Sequence, residues 1–182
     1  LLDGLAVKEE PIGRVGFRFG YGRKFREYPD RFSFIYDYCY YHDLISEEDG
    51  RLLLTETGKG RLASARKEEL GQIYRLWIRL YRGPIPNVLP ITNWVLRLAK
   101  RWVTVSSLTT CLSPLIKPYY YDTPETVLER RMIQMLMHMG LLQIGEHPEH
   151  GAVVRATRLA GAVVKGITVN EEDTIRLPEP QF

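Results

Sequence analysis

A chain of 182 residues, 45% hydrophobic and 26% charged, has the composition of a folded globular protein of one or two domains, and no apolar run reaches the roughly 18 residues of a membrane span. The start, Leu1-Leu2-Asp3-Gly4, lacks a Met and the basic flank and apolar core of a signal peptide, which leaves the chain open to being a piece of a longer protein. Two cysteines, Cys39 and Cys111, fit a reducing, intracellular compartment (cytoplasm, nucleus or nucleoid) better than a disulfide framework, and the net charge of +3 hides a strongly basic middle.

Residues 13 to 26 interleave Val15, Phe17, Phe19, Tyr21 and Phe25 with Arg14, Arg18, Arg23, Lys24 and Arg26, which reads as a short strand or an extended arm. Its glycines have neither the spacing nor the following helix of a phosphate-binding loop. Pro29-Asp30 opens a predicted helix to about His42. The alternating Phe32, Phe34, Tyr36, Tyr38 and Tyr40 suggest a strand, but Ile35, Cys39 and His42 fill the intermediate positions over a long run. Leu44-Ile45 and Arg51 to Leu54 then flank an acidic turn ending at Gly50, a hairpin pattern. Thr55 is the predicted N-cap of a helix from Glu56 toward Tyr81, with a break at Gly71.

The later part of that helix spaces Arg75, Arg79 and Arg82 on one face. Gly83-Pro84-Ile85-Pro86 stops it, and a second helix over 91–102 follows, with Trp94, Val95, Leu98 and Trp102 as its apolar stripe and Arg97, Lys100 and Arg101 opposite. The two helices are expected to pack as a hairpin joining the halves of the chain, with a boundary after residue 82. From Gly71 to Tyr121 there is no Asp or Glu, whereas Arg75, Arg79, Arg82, Arg97, Lys100, Arg101 and Lys117 are all cationic. Such a stretch points to an acidic partner, unless the neighbouring acidic segments balance it in space.

Residues 104–116 read as one more helix. Thr123-Pro124-Glu125 combines an N-cap, a proline at the first helical position and an acid in the first turn, starting a helix to about Met139 that Gly140 ends. Leu141 to Ile144 and Ala152 to Arg155 make a second hairpin, and a last helix spans 157–165 before a strand-like tail.

The two halves repeat one order: a helix, an apolar pair, a hairpin, then Thr opening a new helix, with Thr55 and Thr157 in the same role. Leu54-Thr55-Glu56-Thr57-Gly58 resembles the Leu-Thr-x-x-Gly step that follows the wing in the winged-helix superfamily, and Ala156-Thr157-Arg158-Leu159-Ala160 is similar more loosely. The resemblance covers residues 29 to 66 and 103 to 167. It implies a mainly α fold with small β-hairpins (α+β), as two tandem winged-helix-like units, 1–82 and 83–182, the first carrying the basic arm and the second the tail.

In a DNA-reading unit of that kind the helix before the wing faces the major groove, and here it offers Arg130, Arg131, Gln134 and His138, beside Glu125 and Glu129. The equivalent helix of the first half offers aromatics, and its wing tip is Glu47-Glu48-Asp49, which phosphate would repel. Phosphate contacts are therefore expected from Arg14, Arg18, Arg23 and Lys24, from Arg75, Arg79 and Arg82, and from Arg97 and Arg101. His147 and His150 sit in a polar tip without a cysteine nearby, and no sequence pattern brings a nucleophile to a base. The reading is a non-enzymatic module without cofactor or metal that binds nucleic acid, double-stranded DNA in the first instance, within a transcription or DNA-maintenance protein. The rival is a protein–protein interaction or scaffolding module that docks through the aromatics around Tyr36 and Tyr40.

Overall fold

A computed structural model describes residues 30–65, 69–119 and 121–165, which fall into two compact units, Leu1–Arg66 and Lys67–Phe182. Among the described residues the fold is mainly helical with one two-stranded and one three-stranded antiparallel sheet, an α+β fold. The basic arm with Arg14, Arg18, Arg23 and Lys24, and the tail beyond residue 165, lie outside the described residues.

The first unit contains α1 (Asp30–Tyr41), β1 (Ile45–Glu48), β2 (Arg51–Leu54) and α2 (Glu56–Ala63). The alternating aromatics of α1 are helical. Ser33, Phe34, Tyr36, Asp37 and Tyr38 are buried, and Phe32, Ile35 and Tyr41 are exposed. The β1–β2 hairpin turns at Asp49 and Gly50, both at positive φ, the left-handed geometry that a tight reversal requires. Instead of running on to Gly71, α2 ends at Ala63: Ser64 caps it and Ala65 turns left-handed at φ 47°.

The second unit starts with α3 (Leu70–Tyr81) and α4 (Val88–Leu98), so Gly71 lies inside the first turn of α3. The boundary falls before α3 and not after residue 82, because α3 packs on α4 and on the last helix of this unit. Next come β3 (Val103–Thr104), α5 (Val105–Leu112) and a tight turn, Ser113–Leu115. A continuous helical stretch follows: α6 (Pro124–Thr126), a π-helical segment Val127–Ile133, and α7 (Gln134–His138). The hairpin of β4 (Leu142–His147) and β5 (Gly151–Ala156) and the helix α8 (Arg158–Lys165) follow. Where the sequence suggested one helix over 104–116, its first residue, Thr104, joins Val103 in β3, a two-residue strand that pairs with β5 to give the sheet order β3-β5-β4. Thr104 at its end then caps α5 by accepting the Ser107 amide.

The stretch 124–138 is the centre of this unit. It packs on α4 and α5, and every residue from Arg131 to Leu136 is buried, so only a narrow face meets solvent. Thr123 caps it and Gly140, at φ 72°, ends it.

The repeat seen in the sequence extends to individual hydrogen bonds. At the end of α1 the Leu44 amide donates back to the Cys39 carbonyl and the Asp43 amide to Tyr40. At the end of α7 Leu141 donates to Leu136 and Gly140 to Met137. Both are helix ends closed by a left-handed residue, Asp43 at φ 54° in one and Gly140 in the other. The hairpin then returns to the same spot. Thr55 donates its amide to the Leu44 carbonyl and its hydroxyl to Asp43, and Thr157 does the same to Leu141 and Gly140. This clasp satisfies carbonyls stranded at the helix exit and fixes where the next helix starts. It also accounts for the glycine of the motif: a Cβ on Gly58 would fall on the Leu44 carbonyl. The small, buried Ala160 stands at that place in the second unit.

Candidate nucleic-acid interface

The buried stripe of α4 is Val88, Ile91, Thr92, Val95 and Ala99, spaced as one helical face. Trp94 and Leu98, read from sequence as members of that stripe, lie outside it at 47% and 43% exposure. They share the solvent side with Arg97, whose guanidinium carbon is 5.5 Å from the centre of the Trp94 ring. Lys100 and Arg101, both exposed, follow in the turn to β3, and Trp102 closes the series at 48% exposure. Two half-exposed indoles and three cations thus occupy nine consecutive residues, 94–102, that contain no acid.

Trp102 is supported from the hairpin side. The Arg155 guanidinium lies 4.7 Å from its ring centre. Arg155 is itself held by Gln143, its cross-strand partner, with Nη2 donating to Oε1 at 2.8 Å. The edge of the indole rests over Gly145, where a single added methyl group would meet the ring at 3.5 Å. Strand alternation sends Glu146 to the other face of the hairpin.

The other expected contacts are placed as follows. Arg75 and Arg79 are exposed on α3, opposite its buried Tyr74, Trp77, Ile78 and Tyr81, while Arg82 is half-buried. Arg130 is exposed. Arg131 is not: it is 2% exposed, and its Nη2 and Nε donate to one Asp122 carboxylate oxygen at 2.8 and 3.2 Å. Gln134 is buried too, with Nε2 3.2 Å from a His138 ring nitrogen. These two residues were expected to face outward; both are buried instead, in a stretch that packs on α4 and α5. The solvent face of 124–138 is left with Glu125, Glu129 and Arg130. Glu125 is held below the usual carboxylate range by its own backbone amide and by the Thr123 and Ser113 hydroxyls, so it stays anionic.

In the first unit Tyr36 is buried and donates its hydroxyl to Glu47 at 3.0 Å, which removes it as a docking side chain. The exposed apolar residues there include Leu52, Leu53 and Leu54 on β2, and Leu62 on α2. Leu54 and Leu62 border a shallow groove of about 380 Å³ with Cys39, Leu44 and Ile45. At the tip of the second hairpin the His147 and His150 rings stack at 4.6 Å, and among the described residues no three His, Cys, Asp or Glu side chains converge as a metal-ligand set. Among the described residues no helix is long and apolar enough to cross a membrane.

Sequence reasoning placed the cations of the α4 face but missed its aromatic half. In the structure Val88, Ile91, Thr92, Val95 and Ala99 complete the buried stripe, which leaves Trp94 and Leu98 no place in it. No family model, no curated protein and no solved structure gives a significant match to this chain.

Proposed function

We propose that the chain is a tandem winged-helix module that binds nucleic acid, chiefly through arginine and lysine contacts to phosphate. The observation that carries this reading is the layout of the second unit. A helix, a short strand, two further helices and a hairpin follow in that order, and the short strand pairs with the hairpin's second strand. This order supports the winged-helix reading, and the clasp shared by Thr55 and Thr157 supports a shortened counterpart in the first unit. The ligand class rests on charge: Arg75, Arg79, Arg97, Lys100 and Arg101 are exposed in a stretch without acids.

The test is anisotropy of labelled DNA of random sequence, titrated between about 50 and 200 mM salt. Affinity should fall steeply with salt, and exchanging Arg97 and Arg101 for Gln should flatten the slope by about one for each phosphate left without its guanidinium. No binding at low salt by the folded chain would end the proposal.

A second reading, a protein-docking module, is favoured by one feature: the three exposed leucines of β2 beside the groove of the first unit. It requires binding that survives salt and is abolished by Leu53→Asp.

A further inference from the structure

We infer that the face formed by Trp94, Arg97, Lys100, Arg101 and Trp102 is a stacking platform for unpaired bases, so that the chain prefers single-stranded nucleic acid over duplex. The inference rests on the nucleic-acid reading above and specifies its ligand.

Three observations converge on it. The first is composition. Apolar surface alone would suit any hydrophobic partner, but here each indole has a guanidinium beside it, Arg97 at Trp94 and Arg155 at Trp102, and no carboxylate lies within residues 71–121. A ligand that satisfies both must be polyanionic and must present flat π-faces at short intervals. A single strand does so. A duplex presents its phosphates but keeps its base faces stacked inside.

The second is rigidity. Trp102 is fixed from one side by Arg155, which Gln143 holds in place, and the edge of its ring lies against Gly145 of β4. The rest of the indole stays open to solvent, with 48% of the residue exposed. A side chain locked in this way stacks on a base with little further loss of rotamer freedom.

The third is the character of the surface that would otherwise read a duplex. The solvent face of 124–138 carries Glu125 and Glu129 against the single cation Arg130, and the Thr109 hydroxyl donates to Glu129 at 3.0 Å. The tip of the β4–β5 hairpin carries Glu146 and Glu149. Both would meet phosphate at a groove wall and repel it, whereas the 94–102 face has no such residue.

The experiment uses the full chain and two fluorescein-labelled probes of one sequence: a strand of about 15 nucleotides, long enough for one to a few stacking sites, and its duplex. The expected result is tighter binding of the strand, with quenching of tryptophan fluorescence as it saturates. The chain has three tryptophans, and Trp77 is wholly buried, so Trp94→Phe and Trp102→Phe identify which indole is quenched. Trp94→Ala and Trp102→Ala should each weaken strand binding by roughly 5- to 150-fold, the range for one missing base stack, and leave duplex binding nearly unchanged. Trp94 points to solvent from a helix, so its Ala variant folds and keeps the test valid even if the Trp102 variant does not.

Equal or tighter duplex binding, with the Trp94 variant unaffected and the Arg97→Gln, Arg101→Gln variant weakened, would overturn the stacking platform while leaving nucleic-acid binding in place. Failure to bind either probe at low salt would overturn both.

Discussion

Removing the Asp122 carboxylate should destabilise the second unit by about 3 kcal/mol, toward the lower end of the ~3–5 kcal/mol typical when a buried ion pair loses one partner. Arg131 is 2% exposed and Asp122 22% exposed at the side chain, with donor–acceptor distances of 2.8 and 3.2 Å to one oxygen. At an effective dielectric of about 20, charges about 3 Å apart attract by roughly 5 kcal/mol. Part of this is offset because Asp122 keeps contact with water and because Arg131 has further partners. Asp122→Ala leaves the buried guanidinium without its carboxylate. Arg131→Met removes the buried charge instead, leaves a carboxylate that can rehydrate, and should cost about 1 kcal/mol, with the double variant close to it. Urea unfolding followed by tryptophan fluorescence reads the difference. With a slope of about 2 kcal/mol per molar urea, Asp122→Ala should lower the midpoint by about 1.5 M. A loss under about 1 kcal/mol would refute the assignment of Arg131 to the core. So would an Arg131→Met chain of unchanged stability that no longer binds nucleic acid, since that result would return Arg131 to the interface.

The clasp gives a second prediction: Thr157→Val, which keeps shape and loses the hydroxyl that donates to Gly140, should cost about 1 kcal/mol in thermal unfolding. Thr55→Val should cost more, roughly 2 kcal/mol, because Thr55 also caps α2 by accepting the Gly58 amide. Two glycines of α2 should respond oppositely to alanine. Gly60→Ala meets nothing and gains up to about 1 kcal/mol of helix propensity, whereas Gly58→Ala drives a methyl group onto the Leu44 carbonyl and should cost roughly 1–3 kcal/mol. Burial pushes the Tyr74 hydroxyl well above its ordinary 10.0, with the Thr92 hydroxyl opposing. Its contribution is therefore intact below pH 10.0 and is lost as pH rises beyond it toward the raised value, so the chain should unfold in alkali and Tyr74→Phe should blunt that loss.

Local signals carried the elements well where one residue sets a boundary. Thr55 and Thr123 cap the helices they were expected to cap, Gly140 ends the stretch it was expected to end, and both hairpins form where two apolar runs flank a polar turn. What could not be read depends on partners distant in sequence. Two residues are too few to announce a strand, and Val103–Thr104 becomes one only because β5 offers it an open edge. That the stretch 124–138 is enclosed by α4 and α5 is equally a matter of distant partners, and it buries Arg131 and Gln134 along with the apolar residues around them. In the candidate interface the cations were legible from charge alone. The side of α4 that meets solvent was not, because Trp94 and Leu98 have core-like side chains and only the closed stripe of Val88, Ile91, Thr92, Val95 and Ala99 excludes them.

The clasp also separates two jobs that hairpins usually combine. In the first unit it joins Leu44 to Thr55 and in the second Leu141 to Thr157, so the loops between its ends, 45–54 and 142–156, differ in length while the closure stays the same. The same closing bonds thus hold the flanking helices across hairpins of different length and charge. The two hairpins are a fixed buckle with different straps, one tipped by three acids and the other by stacked histidines.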